Sequence, residues 1–111
     1  ILEDVPEAAR CLHEEIFAPV APLLRFRDEA AVIERANATE YGLSAYVFTR
    51  DTARVFRLAE RLEAGSVGVN VGVLSTSPCP FGGFKHSGLG RELGSEGMEA
   101  FLETKHIAIG L

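Results

Sequence analysis

LSAYVFTRDTARVFRLAERLEAGSVGVN, residues 43–70, decides the fold class. Its opening, LSAYVFT (43–49), alternates in polarity and is rich in β-formers, which predicts a strand. Asp51 stands where a helix N-cap belongs, and Val55, Ala59 and Leu62 recur at i, i+4 and i+7 on one apolar face. Gly65 is placed to end that helix as a C′ residue. SVGVNVGVL (66–74) then reads as a second strand. Strand, helix and strand joined by short linkers predict an α/β fold with a mostly parallel sheet, because parallel neighbours need a crossover of this kind.

Outward from this unit the rhythm continues on the N-terminal side. VAPLLRF (20–26) is a short apolar run suited to a strand, with Pro22 confining it to an edge. Asp28 can cap a further helix, Glu29 suits its positive end, and Ile33 and Ala36 lie near one stripe; NATEYG (37–42) stops it. On the C-terminal side PFGGFKHSGLGRELG (80–94) packs five glycines into fifteen residues. A short helix is expected from about Ser95, pairing Met98 with Phe101 and Leu102. The tail TKHIAIGL (104–111) places Ile107, Ile109 and Leu111 on one strand face. That strand either completes its own sheet or adds to the edge of a partner's.

Composition narrows the class. The 111 residues allow one domain at most, expected to bury roughly two-thirds of its unfolded surface. A net charge of −5 leaves no basic face for nucleic acid. No apolar run approaches the ~18 residues of a membrane span, and no basic leader opens the chain. Two cysteines, Cys11 and Cys79, are too few to staple a secreted scaffold, so a cytoplasmic location is expected. The first residues, ILEDVP, read like the middle of a strand and suggest a piece of a longer protein.

Chemical motifs are sparse. Gly88, Gly90 and Gly94 give G-x-G-x-x-x-G, one residue longer than the dinucleotide fingerprint, and Leu89 stands where a P-loop requires lysine. The alternative is an irregular loop using glycine for close packing. HEEIF (13–17) begins like a zinc motif but offers Phe17 in place of the second histidine, and His86 and His106 lack ligand-spaced partners, so no metal is expected. Nothing in the sequence activates Cys11 or Cys79, which read as small buried apolar residues. Glu14 and Glu15 are adjacent acids of the kind that usually form a solvated face.

Four segments in register say more. EEIFAPVAPLLRF, ANATEYGLSAYVFTRD, GSVGVN and PFGGFKHSGLGRELG resemble, in order and spacing, the C-terminal part of aldehyde dehydrogenases, over essentially the whole chain. NVGVLSTSPCPFGGFKHSGLGRE and the K-x-x-x-x-G-L tail are most similar to the succinate-semialdehyde branch. The resemblance implies that residues 1–102 are the C-terminal portion of the catalytic domain and residues 103–111 an oligomerisation arm. It implies that Glu15 accepts from the nicotinamide-side ribose hydroxyls of NAD or NADP, and that Phe17 packs near the nicotinamide. Ala18 replaces the family's glycine there; were a positive φ required, alanine would cost on the order of 1 kcal/mol.

By the same resemblance Ser75 would help hold the far carboxylate of the aldehyde, with Ser77 the rival if the register slips, and Phe81 would line the substrate pocket. The implied reaction oxidises succinate semialdehyde to succinate: a cysteine thiolate adds to the carbonyl, hydride passes to NAD or NADP, and a glutamate-activated water hydrolyses the thioester. No residue here matches that cysteine, that glutamate or the Rossmann glycines. The chain therefore carries no catalytic residue of its own, and alone it is expected to be inactive and to expose apolar surface. Its expected partners are the remainder of the polypeptide, the small aldehyde and further copies of the chain. The alternatives are a piece of an aldehyde dehydrogenase with another substrate, and a non-catalytic assembly domain.

Overall fold

Asp51 starts the central helix as its position suggests: its Oδ1 accepts from the backbone N–H of Arg54 at 3.1 Å, meeting one of the four donors a helix leaves open. The computed structural model describes residues 1–111. The chain divides into two units, Ile1–Thr39 and Glu40–Leu111.

In the first unit a 3-10 turn, Arg10–Leu12, precedes helix α1, Glu29–Asn37. Asp28 caps α1 by accepting from Ala31 N at 2.8 Å, as the sequence suggests. Ile33 is buried, whereas Ala36 is exposed and does not extend the apolar stripe. The expected strand at 20–26 shrinks to one parallel bridge between Leu2 and Pro22. Leu2 N donates to Ala21 O at 2.9 Å and Leu23 N to Leu2 O at 2.7 Å. The bridge uses the residues flanking Pro22, and Asp4, left-handed at φ 51°, turns the partner segment away before a further rung can form.

The second unit holds the α/β core. Strand β1 is Tyr41–Gly42, β2 is Ser44–Val47, helix α2 is Thr52–Arg61, β3 is Ser66–Val69, β4 is Phe84–Lys85 and helix α3 is Gly94–Glu99. Strands β2 and β3 pair in parallel from Ser44↔Ser66 to Val47↔Val69, with α2 in the crossover between them. Strands β1 and β4 form a separate antiparallel pair. Val47 and Leu58 are the buried apolar side chains of this unit. Leu58 therefore centres the α2 stripe between the half-buried Val55, Ala59 and Leu62.

Two expectations about where elements end are corrected. Helix α2 stops at Arg61 with Leu62 already extended, so Gly65 is not its C′ residue. Glycine is required at 65 for another reason: a Cβ there would collide with the carbonyl oxygen of Gly82. Strand β3 stops at Val69 rather than reaching Leu74, because Asn70 turns left-handed at φ 54°. Asparagine tolerates that region. Its amide then clips the strand end, with Asn70 Nδ2 donating to Thr49 O and Thr49 N donating to Asn70 Oδ1, each at 2.9 Å.

The tail, residues 103–111, forms no ladder with the rest of the chain, and Ile107, Ile109 and Leu111 are exposed. The accessible surface is 9105 Å². A compact monomer of this mass would show about 6,000 Å² and its unfolded chain about 17,000 Å². The chain thus buries about half of its unfolded surface, not the two-thirds expected of an independent domain.

Candidate functional site

The implied site residues fall on two loops, one in each unit. In the first unit the 3-10 turn carries Arg10, whose planar guanidinium forks onto Glu14: Nε donates to Oε1 and Nη2 to Oε2, both at 2.7 Å. The hydrogen bond from Arg10 holds the Glu14 carboxyl below the ordinary 4.5 and pushes the guanidinium's own value up. Glu15, the next residue, is exposed and makes no hydrogen bond or ion pair within the chain. The two adjacent acids are therefore unlike: Glu14 is engaged and Glu15 is available. Phe17 stands 92% exposed beside them. Glu15, Phe17 and Ala18 line one shallow, open depression of about 300 Å³ with Arg10 and Glu14.

Ala18 is not among the non-glycine residues with positive φ, which are Asp4, Asn70, Lys85 and Leu93. The strain that alanine would suffer there does not arise. An unpaired carboxylate next to an exposed aromatic face suits a ribose diol and a flat ring, so these residues fit a nicotinamide nucleotide.

The second loop runs from Asn70 to Leu93, interrupted only by the short strand β4. Ser75 is exposed, and its hydroxyl has no partner within the chain. The residues after it are pinned. Ser77 O accepts from Gly94 N at 3.0 Å, and Cys79 N donates to Thr76 O at 3.0 Å. Phe81 exchanges two bonds of 2.7 Å with Glu92 in an antiparallel bridge. Phe81 is half-buried. Cys79, expected to be buried, is exposed on the turn between Pro78 and Pro80, and Cys11 is half-buried; both thiols are free.

The glycine-rich segment packs on its own chain. Ser87 Oγ accepts from Gly42 N at 2.9 Å. Arg91 Nη1 donates to Gly90 O at 2.7 Å and to Gly83 O at 3.1 Å, and the guanidinium lies 5.7 Å from the centroid of the Phe84 ring. An ion pair joins Lys85 to Glu63 at 2.6 Å, and His86 Nδ1 lies 3.4 Å from a carboxylate oxygen of Glu40. His13, first residue of the zinc-like motif, directs Nε2 to Glu7 O at 2.6 Å. No three His, Cys, Asp or Glu gather as a metal site, and no helix is long and apolar enough to cross a membrane.

Sequence reasoning passed over Asn70 and Arg91. For Asn70 a signal existed, since asparagine is depleted in strands yet interrupts VGVNVGV. For Arg91 none did, because its role depends on carbonyls that only the folded loop brings to it.

Residues 1–107 match the aldehyde dehydrogenase family, and the chain belongs to it. It is 56% identical over 111 residues to succinate-semialdehyde dehydrogenase [NADP(+)] GabD of Escherichia coli strain K12, covering all of this chain and 23% of that protein. It is 53% identical over 111 residues to a glutarate-semialdehyde dehydrogenase of Pseudomonas putida strain KT2440, again covering all of this chain and 23% of the relative. A crystal structure described as an E. coli NADP dependent enzyme superposes with a TM-score of 0.94 at 55% identity, over 98% of this chain and 23% of that one. The chain thus spans less than a quarter of the length of these relatives.

Proposed function

We propose that the polypeptide carrying this chain is an NAD(P)-dependent aldehyde dehydrogenase that oxidises an aldehyde bearing a carboxylate at its far end, succinate semialdehyde first, to the diacid. The observation that carries this reading is Ser75: its hydroxyl is exposed and unpaired on a loop whose following residues are pinned at Ser77 and Phe81. A free donor on a held backbone can meet a carboxylate with little ordering cost. The two relatives named above act on succinate and glutarate semialdehydes, which differ by one methylene and share that distal carboxylate.

In this reading Glu15 accepts from the ribose hydroxyls and Phe17 packs by the nicotinamide. The bound cofactor, NAD or NADP, supplies the hydride acceptor. Phe81 lines the pocket, and arginines from the remainder of the polypeptide join Ser75 on the carboxylate. The nucleophilic cysteine and the general base also belong to that remainder, so this chain alone is inactive. The tail, residues 103–111, adds its apolar strand face to the sheet of another copy. A chain with two cysteines, too few for a disulfide-stapled scaffold, suits a cytoplasmic enzyme.

Steady-state kinetics of the full-length enzyme on succinate semialdehyde and on butanal test the reading. A preference of about a hundredfold or more in kcat/KM, roughly 2.7 kcal/mol, is expected for the acid. Equal values would move the substrate to uncharged aldehydes and remove the role of Ser75.

A further inference from the structure

Arg91 is a long cationic side chain whose whole reach is spent on its own loop. One Nη donates to two carbonyls, Gly83 O and Gly90 O, while the guanidinium faces the Phe84 ring. The seat is tight: a Cβ on Gly82 would come within 2.7 Å of Arg91 Cδ and 3.1 Å of its Nη1. On the other side of Arg91 lie the two anchors of the loop that bears Ser75 and Phe81. Glu92 holds Phe81 through the paired 2.7 Å bonds, and Gly94 N holds Ser77 O at 3.0 Å. Segment 90–94 is thus tied to residues 77–81 by its backbone and to residue 83 by one side chain. Three of its five residues have positive φ, Gly90 at 83°, Leu93 at 60° and Gly94 at 61°, a region costly for Leu93, so the segment needs contacts that hold it in this conformation.

We propose that Arg91 is a positioning residue for the substrate loop: by bridging Gly83 and Gly90 it fixes segment 90–94, which in turn sets Phe81 and the Ser75–Ser77 backbone for a carboxylated aldehyde. The proposal rests on the reading of Ser75 and Phe81 above. Lysine is a poor replacement in this role, because its ammonium is a strongly hydrated point charge that lacks the flat face the guanidinium turns to the Phe84 ring.

Arg91→Lys and Arg91→Ala in the full-length enzyme test it, read by kinetics and by amide hydrogen exchange. Expected is a rise of about tenfold in KM for succinate semialdehyde with kcat held within about twofold, and little change with butanal. The amides of Phe81, Glu92 and Gly94 exchange faster in both variants, while those of β2 and β3 do not change. Equal losses on both aldehydes, unchanged exchange at the three amides, or failure of both variants to fold would each overturn the proposal. If the wild-type enzyme does not prefer the acid, the substrate reading fails separately. Exchange then decides Arg91 alone: faster exchange at the three amides supports the clamp and unchanged exchange overturns it.

Discussion

Glu14 and Glu15 show how much one side chain decides at the scale of a residue. Adjacent in sequence, they could have been a pair of solvated acids. Arg10, four residues before Glu14, forks onto it with two bonds of 2.7 Å and leaves Glu15 unpaired. The Glu15→Gln variant of the full-length enzyme is expected to raise KM for NAD(P) about tenfold or more, since a hydrogen bond to a charged group contributes about 1.5–3 kcal/mol. Glu14→Gln should leave that KM nearly unchanged, and initial-rate kinetics with varied cofactor check both. The Arg10 pair also has a pH signature. Its folded pKa lies below the ordinary 4.5 of a glutamate, so the pair contributes above 4.5 and is lost as pH falls through the lower folded value. NMR titration of the Glu14 carboxyl should give a midpoint below 4.5 that returns upward in Arg10→Gln; a midpoint at or above 4.5 in the native protein would contradict it. The role proposed for the carboxylate at 15 comes from the family resemblance, whereas which of the two acids is free depends on the geometry of the Arg10 turn.

Local signals carried the elements well where a helix or its parallel strands were concerned. Asp28 and Asp51 cap as read, and β2, α2 and β3 follow in the expected order. The failures came from backbone chemistry that periodicity does not see. Asp4 turns left-handed two residues after Leu2, and Asn70 does so in the middle of an apolar run. Glycines divide in the same way. Gly65 faces the carbonyl of Gly82, whereas a Cβ on Gly72 would meet nothing within 4 Å. Gly65→Ala should destabilise the full-length protein by about 1–3 kcal/mol, as overpacking does. Gly72→Ala should be neutral or stabilise it by up to about 1 kcal/mol through the unfolded state. Chemical denaturation of both variants measures the difference, and equal midpoints would remove the packing role given to Gly65.

At the scale of the whole molecule the surface is the main fact. The 9105 Å² exposed exceeds the ~6,000 Å² of a compact monomer by about 3,000 Å²; covering it would bury about twice that over both sides, the scale of a large obligate interface. Phe17, Phe48, Val73, Leu89, Phe101 and Ile109 are among the apolar residues left uncovered. No pattern in the sequence measures such an excess, because a segment completed by another part of its polypeptide is patterned like any other α/β chain. The isolated 111-residue chain is therefore expected to bind ANS, to self-associate and to show no aldehyde-dependent reduction of NAD or NADP. A monodisperse, ANS-silent monomer, or measurable turnover, would contradict this. The most direct measurement compares Ser75→Ala with the unaltered full-length enzyme on succinate semialdehyde and butanal. The preference for the acid should fall about tenfold, the contribution of roughly one hydrogen bond to a charged group, with kcat/KM for butanal unchanged. An unaltered preference would show that Ser75 does not read the carboxylate.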